Sequence, residues 1–191
     1  MKINKEINMI DHLRVFLKLN KTPGRGNISK KLDIGEGIIR RVLDELKAKG
    51  LIIPTNKGHK YSDKGKKIFD SISGKIMIKN NVKLDLFPGM KNTAIHIKDH
   101  NDNSINFKIR DVAIRNQAEG AMIFLYHRHK LELPDCDYSD ESFNKLAGVF
   151  DFKDGDVLVT TFSKEQKVSE KSAFAVAISL SKSLEKFKDM V

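Results

Sequence analysis

The sequence predicts an α+β protein of two domains: residues 1–75, helical with one short hairpin, and residues 76–191, an α/β domain with a mixed sheet. Three observations predict it. At 191 residues the chain has room for two ordinary domains, and 40% apolar against 31% charged residues is globular composition, which excludes wholesale disorder. The charge is divided: residues 1–82 hold 19 basic and 8 acidic residues, net +11, whereas residues 83–191 hold 16 basic and 17 acidic, net −1. Near the same place the apolar pattern changes from helical spacing to short alternating runs separated by helical stretches.

Taken in order, Met9, Ile10, Leu13, Phe16 and Leu17 recur at helical spacing with Asp11, Arg14 and Lys18 opposite, which predicts an amphipathic helix over 8–19, ended before Pro23 and Gly24. Asn27 is suited to cap a short helix running to Leu32, because its side-chain oxygen accepts an N–H of the first turn. After a turn at Asp33, Ile34 and Gly35, residues 36–49 form a helix with the stripe Ile39, Val42, Leu43 and Leu46 inward. Gly50, free to take positive φ, stops it. Residues 51–54 and 59–61 read as two short strands joined by a basic turn. Ser62 caps a further helix to Ile72, with Ile68 and Phe69 inward and Lys64, Lys66 and Lys67 outward; Gly74 breaks it.

Beyond the boundary, marked by Gly74, Asn80 and Asn81, strands are predicted at 75–79, 83–87, 93–97, 121–126 and 157–162. Helices are predicted at 107–119, 139–150 and 169–188. Helices of crossover length between strands predict that part of the sheet is parallel.

Helix, helix, turn, helix, basic hairpin, helix is the order of a winged helix-turn-helix. The stretch from Ile28-Ser29-Lys30-Lys31-Leu32 through Arg40-Arg41-Val42-Leu43 to Leu46, followed by Lys49-Gly50-Leu51-Ile52, resembles the common bacterial and archaeal form of that module. Asp33 stands where its turn often has Gly, and Gly35 where Ser or Thr usually caps the second helix of the motif. Farther on, Arg110-Asp111-x-Ala113-Ile114, Ala118-x-Gly120-Ala121, the strand from Met122 to Tyr126, and Gly155-Asp156-Val157-Leu158-Val159 are similar to an uncharacterised archaeal domain family that follows an N-terminal winged helix. The resemblance implies an archaeal winged-helix regulator whose C-terminal domain has no established ligand or reaction.

A recognition helix fits the major groove and offers its first turn to base edges. Here that turn supplies Glu36, Gly37, Arg40 and Arg41, with either arginine suited to guanine O6/N7 and Gly37 to close backbone approach. Asn56, Lys57, His59 and Lys60 of the hairpin, with Arg25, Lys30 and Lys31 of the short helix, suit phosphate contacts that position the module. The expected partner is double-stranded DNA. The near-neutral second domain is expected to dimerise, bind a small-molecule effector, or both; a homodimer would set two recognition helices about 34 Å apart.

Other chemistries find less support. Cys136 stands alone, which removes an intramolecular disulfide and any multi-cysteine zinc module. Without a glycine-rich phosphate loop, a nucleophile elbow or an HExxH helix, no catalytic residue, cofactor or enzymatic activity is expected. His127 and His129 at i, i+2 on a strand would share a face, ahead of Asp135, Cys136 and Asp137, but they meet no zinc spacing, so no metal is expected. Arg110 and Asp111 open a helix and read as salt-bridged or capping residues rather than catalytic ones. The apolar run from Ala173 to Leu180 falls short of the roughly 20 residues of a spanning helix. Lys2, Lys5, Glu6 and Asp11 interrupt any signal peptide, so no membrane partner and a cytoplasmic location are expected. Two alternatives remain open: an enzyme or metal-binding protein with an accessory winged helix, and a winged-helix protein-interaction module.

Overall fold

The computed structural model describes residues 7–21, 24–84, 87–100, 105, 108–134, 136, 138 and 140–190. Lys2, Lys5, Glu6, Pro23, Phe107, Asp135, Asp137 and Ser139, which figure in the expectations above, lie outside the described residues. The chain divides into two compact units, Met1–Gly74 with Glu185–Val191, and Lys75–Leu184. The last residues therefore leave the body anticipated over 76–191. Phe187 explains why: it is fully buried, with its ring 5.1 Å from that of Phe16.

Unit 1 contains α1 (Met9–Lys18), α2 (Arg25–Leu32), α3 (Glu36–Ala48), an antiparallel hairpin of β1 (Ile52–Thr55) and β2 (Gly58–Tyr61), and α4 (Asp63–Ser73). Asn8 caps α1 by accepting the Asp11 N–H. Asn27 does not cap α2, because the helix starts earlier, at Arg25, with Gly24 in the cap position. Asp33 takes the left-handed conformation, φ 50°, that the turn into α3 requires. The hydroxyl of Ser29 secures that turn by donating to the Ile34 carbonyl at 2.6 Å. Leu13, Phe16, Ile28, Leu32, Ile39, Val42, Leu46 and Leu51 form the buried core. Tyr61 closes it, its ring 4.9 Å from both Phe16 and Phe69 and its hydroxyl donating to the Phe16 carbonyl at 2.6 Å. Burial pushes the pKa of that hydroxyl up. At Gly65 of α4 an added Cβ would lie 1.8 Å from the Leu51 carbonyl oxygen, so only glycine allows this contact.

Asp11 and Arg14, expected on the solvent side of α1, are buried instead. Arg14 Nη2 donates to the Leu32 carbonyl at 3.0 Å, which brings the guanidinium to the negative end of α2. Periodicity within α1 cannot reveal a partner 18 residues away.

Unit 2 contains β3 (Ile76–Asn80), β4 (Lys91–Ile97), α5 (Lys108–Arg115), β5 (Gly120–His127), β6 (Lys130–Glu132), α6 (Glu141–Ala147), β7 (Val157–Ser163) and α7 (Gln166–Leu180); α8 (Lys182–Lys188) crosses the division. The strands lie in the order β3-β4-β7-β5-β6, and every pairing among the described residues is antiparallel. This corrects the expected mixed sheet. β4 and β5 do run in the same direction with α5 between them in sequence, but β7 inserts between the two and pairs antiparallel with both. Thus α5 spans a crossover whose strands never become neighbours.

Both sheet faces are covered. Ala94, Phe124, Leu158 and Phe162 share one face with α6, Val82, Leu84 and Phe150. The opposite face meets α7, where the Thr161 hydroxyl donates to the Ser169 carbonyl at 2.7 Å. Four further expectations need amendment. Of the strand expected at 83–87, residues 85 and 86 lie outside the described residues, and 83, 84 and 87 are not in a strand. The Val82 N–H donates to Asn92 Oδ1 and its carbonyl accepts from Asn92 Nδ2, each at 2.9 Å, and Val82 and Leu84 turn into the core. α5 stops at Arg115 because Gln117, at φ 73°, turns the chain into β5. The helix over 139–150 shortens to α6, which begins after the capping carboxylate of Asp140. The helix over 169–188 divides at Ser181, whose backbone is extended. Among the described residues no helix is long and apolar enough to cross a membrane.

Candidate nucleic-acid interface

The stripe Ile39, Val42, Leu43 and Leu46 anchors α3 inward and leaves its charged residues outside. Those number three basic (Arg40, Arg41, Lys47) and three acidic (Glu36, Asp44, Glu45), so this helix is electrically balanced. The basic excess of unit 1 resides on its neighbours: Lys30 and Lys31 on α2, Lys57 and Lys60 on the hairpin, and Lys64, Lys66 and Lys67 on α4, all exposed.

An open cleft of about 600 Å³ lies where α2, α3 and the hairpin meet, lined by Arg25, Gly26, Glu36, Arg40, Leu43, Asp44, Gly58 and His59. Four of the residues singled out from sequence thus come together: Arg25, Glu36, Arg40 and His59. Lys30, Lys31, Gly37, Arg41, Asn56, Lys57 and Lys60 are exposed but do not line it. Asp44 and Leu43 line it without having been singled out. For Asp44 the signal was present, four residues after Arg40 on one helix face.

Opposite charges pair along the cleft lining. Arg25 Nε lies 3.4 Å from Glu36 Oε2, joining the starts of α2 and α3, and Arg40 Nε lies 3.9 Å from Asp44 Oδ2 one turn along. Both pairs are about half exposed or more, so water screens them and each contributes about 0–1 kcal/mol. His59 is half-buried between them. Desolvation holds its pKa below the usual value, opposed by Asp44 and assisted by Lys47, and its Nδ1 is buried without a hydrogen-bond partner. On the α1 side, His12 Nε2 and Glu45 Oε2 are 2.6 Å apart, which ties α3 to α1.

Two glycines at the start of α3 have no evident structural duty. Gly35 and Gly37 have ordinary negative φ, and a Cβ added to either would meet nothing within 4 Å. Glycine within a helix costs about 1 kcal/mol relative to alanine, and Gly37 leaves bare backbone at the exposed first turn.

The metal-site expectation about geometry is corrected. β5 ends at His127, and Arg128 and His129 form the two-residue hairpin turn to β6 with φ 47° and 65°, so the two imidazoles do not share a strand face. His127 Nδ1 instead lies 4.0 Å from Asp154. Among the described residues no group of three or more His, Cys, Asp or Glu gathers as a metal site. Arg110 and Asp111 are exposed on α5, and Cys136 is exposed.

Sequence reasoning missed a buried polar pair in unit 2. His96 Nε2 and Asp156 Oδ2 are 2.7 Å apart with both side chains buried. Asp156 also accepts the Asp99 N–H at 2.9 Å and the Lys153 N–H at 2.8 Å, while the rings of Phe150 and Phe152 lie 5.4 and 4.4 Å from His96. Desolvation lowers the pKa of His96 against the opposing pull of Asp156.

Residues 8–67 match the model "PH0730-like, N-terminal domain", and residues 88–180 match "Domain of unknown function (DUF4443)". The solved structure "Hypothetical protein PH0730 from Pyrococcus horikoshii OT3" is 30% identical, covers 97% of this chain and 100% of its own, and superposes with a TM-score of 0.81. No curated protein matches the chain.

Proposed function

The chain belongs to the family of the hypothetical protein PH0730, and from that premise and its own exposed residues we propose that it is a DNA-binding transcriptional regulator built on a winged helix. In this reading α3 enters the major groove, the β1–β2 hairpin is the wing, and unit 2 dimerises or senses a small effector. The observation that carries it is the shared cleft: the first turn of α3, the start of α2 and the hairpin converge on one open surface in the unit that holds the basic excess. Lys30, Lys31, Lys57 and Lys60 flank those elements as phosphate-contacting cations, and Arg40 and Arg41 supply base-edge donors. The bare first turn at Gly37 favours a partner that approaches the backbone closely.

Reversing charge at Arg40, Arg41, Lys57 and Lys60 together tests the reading. All four side chains are exposed, so the fold should melt within a few degrees of wild type while duplex binding, followed by fluorescence anisotropy, falls at least about 100-fold. Retained binding by a folded variant would refute it.

A further inference from the structure

Glu36, Arg40 and Asp44 stand four residues apart along one face of α3, and all three line the cleft. A helix meant only to grip phosphate gains nothing from two carboxylates on its groove-facing side. In the free protein they are nearly neutral in cost, since Glu36 faces Arg25 at 3.4 Å and Asp44 faces Arg40 at 3.9 Å in water. Against a duplex the same carboxylates meet phosphate charge with less water between, where like charges repel strongly. The repulsion is relieved where a base offers an amino donor, and in the major groove cytosine N4 is the donor a carboxylate takes best. Successive members of the row are separated by about 6 Å along the helix, about the rise of two base pairs.

We propose that the Glu36–Arg40–Asp44 row is the specificity filter of this interface: its carboxylates weaken binding to all duplexes except those presenting cytosine amino groups, and Arg40 takes the guanine acceptors between them. This rests on the duplex-binding reading above and deepens it. The filter favours sites containing G·C pairs at the α3 contact and keeps the protein, despite the +11 charge of residues 1–82, from binding every duplex equally. Glu36 and Asp44 are specificity-determining residues in this account, and Arg25 is held by Glu36 until the duplex arrives.

The test compares wild type with the Glu36→Gln/Asp44→Asn double variant on two probes: a random-sequence duplex pool, and duplexes that wild type itself selects from that pool. Glu36 and Asp44 are both exposed, so the variant should fold normally, which a thermal melt confirms. Asp63→Asn, on exposed α4 away from the cleft lining, controls for net charge. The expected result is about tenfold tighter binding of the random pool by the double variant, loss of most of the preference for selected duplexes, and G·C enrichment in the wild-type selection. Unchanged or weaker binding to the random pool, or an equal gain from Asp63→Asn, would overturn the filter while leaving duplex binding intact. Failure of wild type to bind either probe at low salt would overturn both the filter and the reading beneath it.

Discussion

The Arg40–Asp44 pair of unit 1 and the His96–Asp156 pair of unit 2 are polar contacts of opposite kinds. The first lies on an open helix face with about seven-tenths of each side chain exposed; the second is sealed beneath Phe150 and Phe152 with nothing of the imidazole exposed. Water decides what each can do. Arg40 is cheap to separate from Asp44 and remains available to a partner, whereas His96 and Asp156 cannot exchange each other for anything without leaving donors unsatisfied. The difference teaches that the pair on α3 keeps its chemistry available, whereas the pair beneath Phe150 and Phe152 is locked into the fold.

Removing each carboxylate is the largest test of that contrast. Asp156→Ala strips the acceptor from the His96 imidazole and from the Asp99 and Lys153 amides, and should cost about 3 kcal/mol of unfolding free energy. Asp44→Ala should cost about 0.5 kcal/mol or less. Denaturant unfolding of the two variants measures both, and similar losses would erase the distinction.

Acid provides the next largest effect. The unfolded chain protonates its histidines near pH 6.5, while burial makes folded His96 take its proton only at lower pH. The associated stability is therefore complete above pH 6.5 and falls as the pH drops from there towards the folded pKa. His59, lowered in the same direction but only half-buried, should contribute a shallower slope in unit 1. Thermal melts between pH 7 and 5, repeated on His96→Gln, should show that most of the decline disappears with the imidazole.

Gly37→Ala gives the smallest effect and the most diagnostic sign. Alanine fits the open space around this residue and should stabilise α3 by about 0.5–1 kcal/mol, while placing a methyl group on the bare backbone that the proposed duplex contact would use. A higher melting temperature combined with weaker duplex binding is the expected outcome in calorimetry and anisotropy. A gain in both would leave Gly37 with no role in recognition.

What could be read from the sequence follows the range of the interactions involved. The stripe of α3, the cap at Ser62 and the short hairpin depend on near neighbours; the first two lie as their spacing predicts, and the hairpin forms with its turn at Asn56 and Lys57, each strand reaching one residue closer to the turn than expected. Arg14 looked exposed because its partner, Leu32, belongs to the next helix. The crossover helix α5 was legible, but no local pattern could reveal that β7 enters between β4 and β5. His96 and Asp156, 60 residues apart, carry no shared motif. At the cleft, the individual residues Arg25, Glu36, Arg40 and His59 were legible as types suited to nucleic acid. The ion pairing at the start of α3 needs the structure, because the contact of Arg25 with Glu36 depends on how α2 meets α3.

The most direct measurement is the salt dependence of duplex binding by the intact chain. If about five phosphates are neutralised per protomer, log affinity plotted against log salt should fall with a slope near −4.5. A flat line, or no binding at low salt, would contradict the claim that the exposed cations of unit 1 serve a duplex.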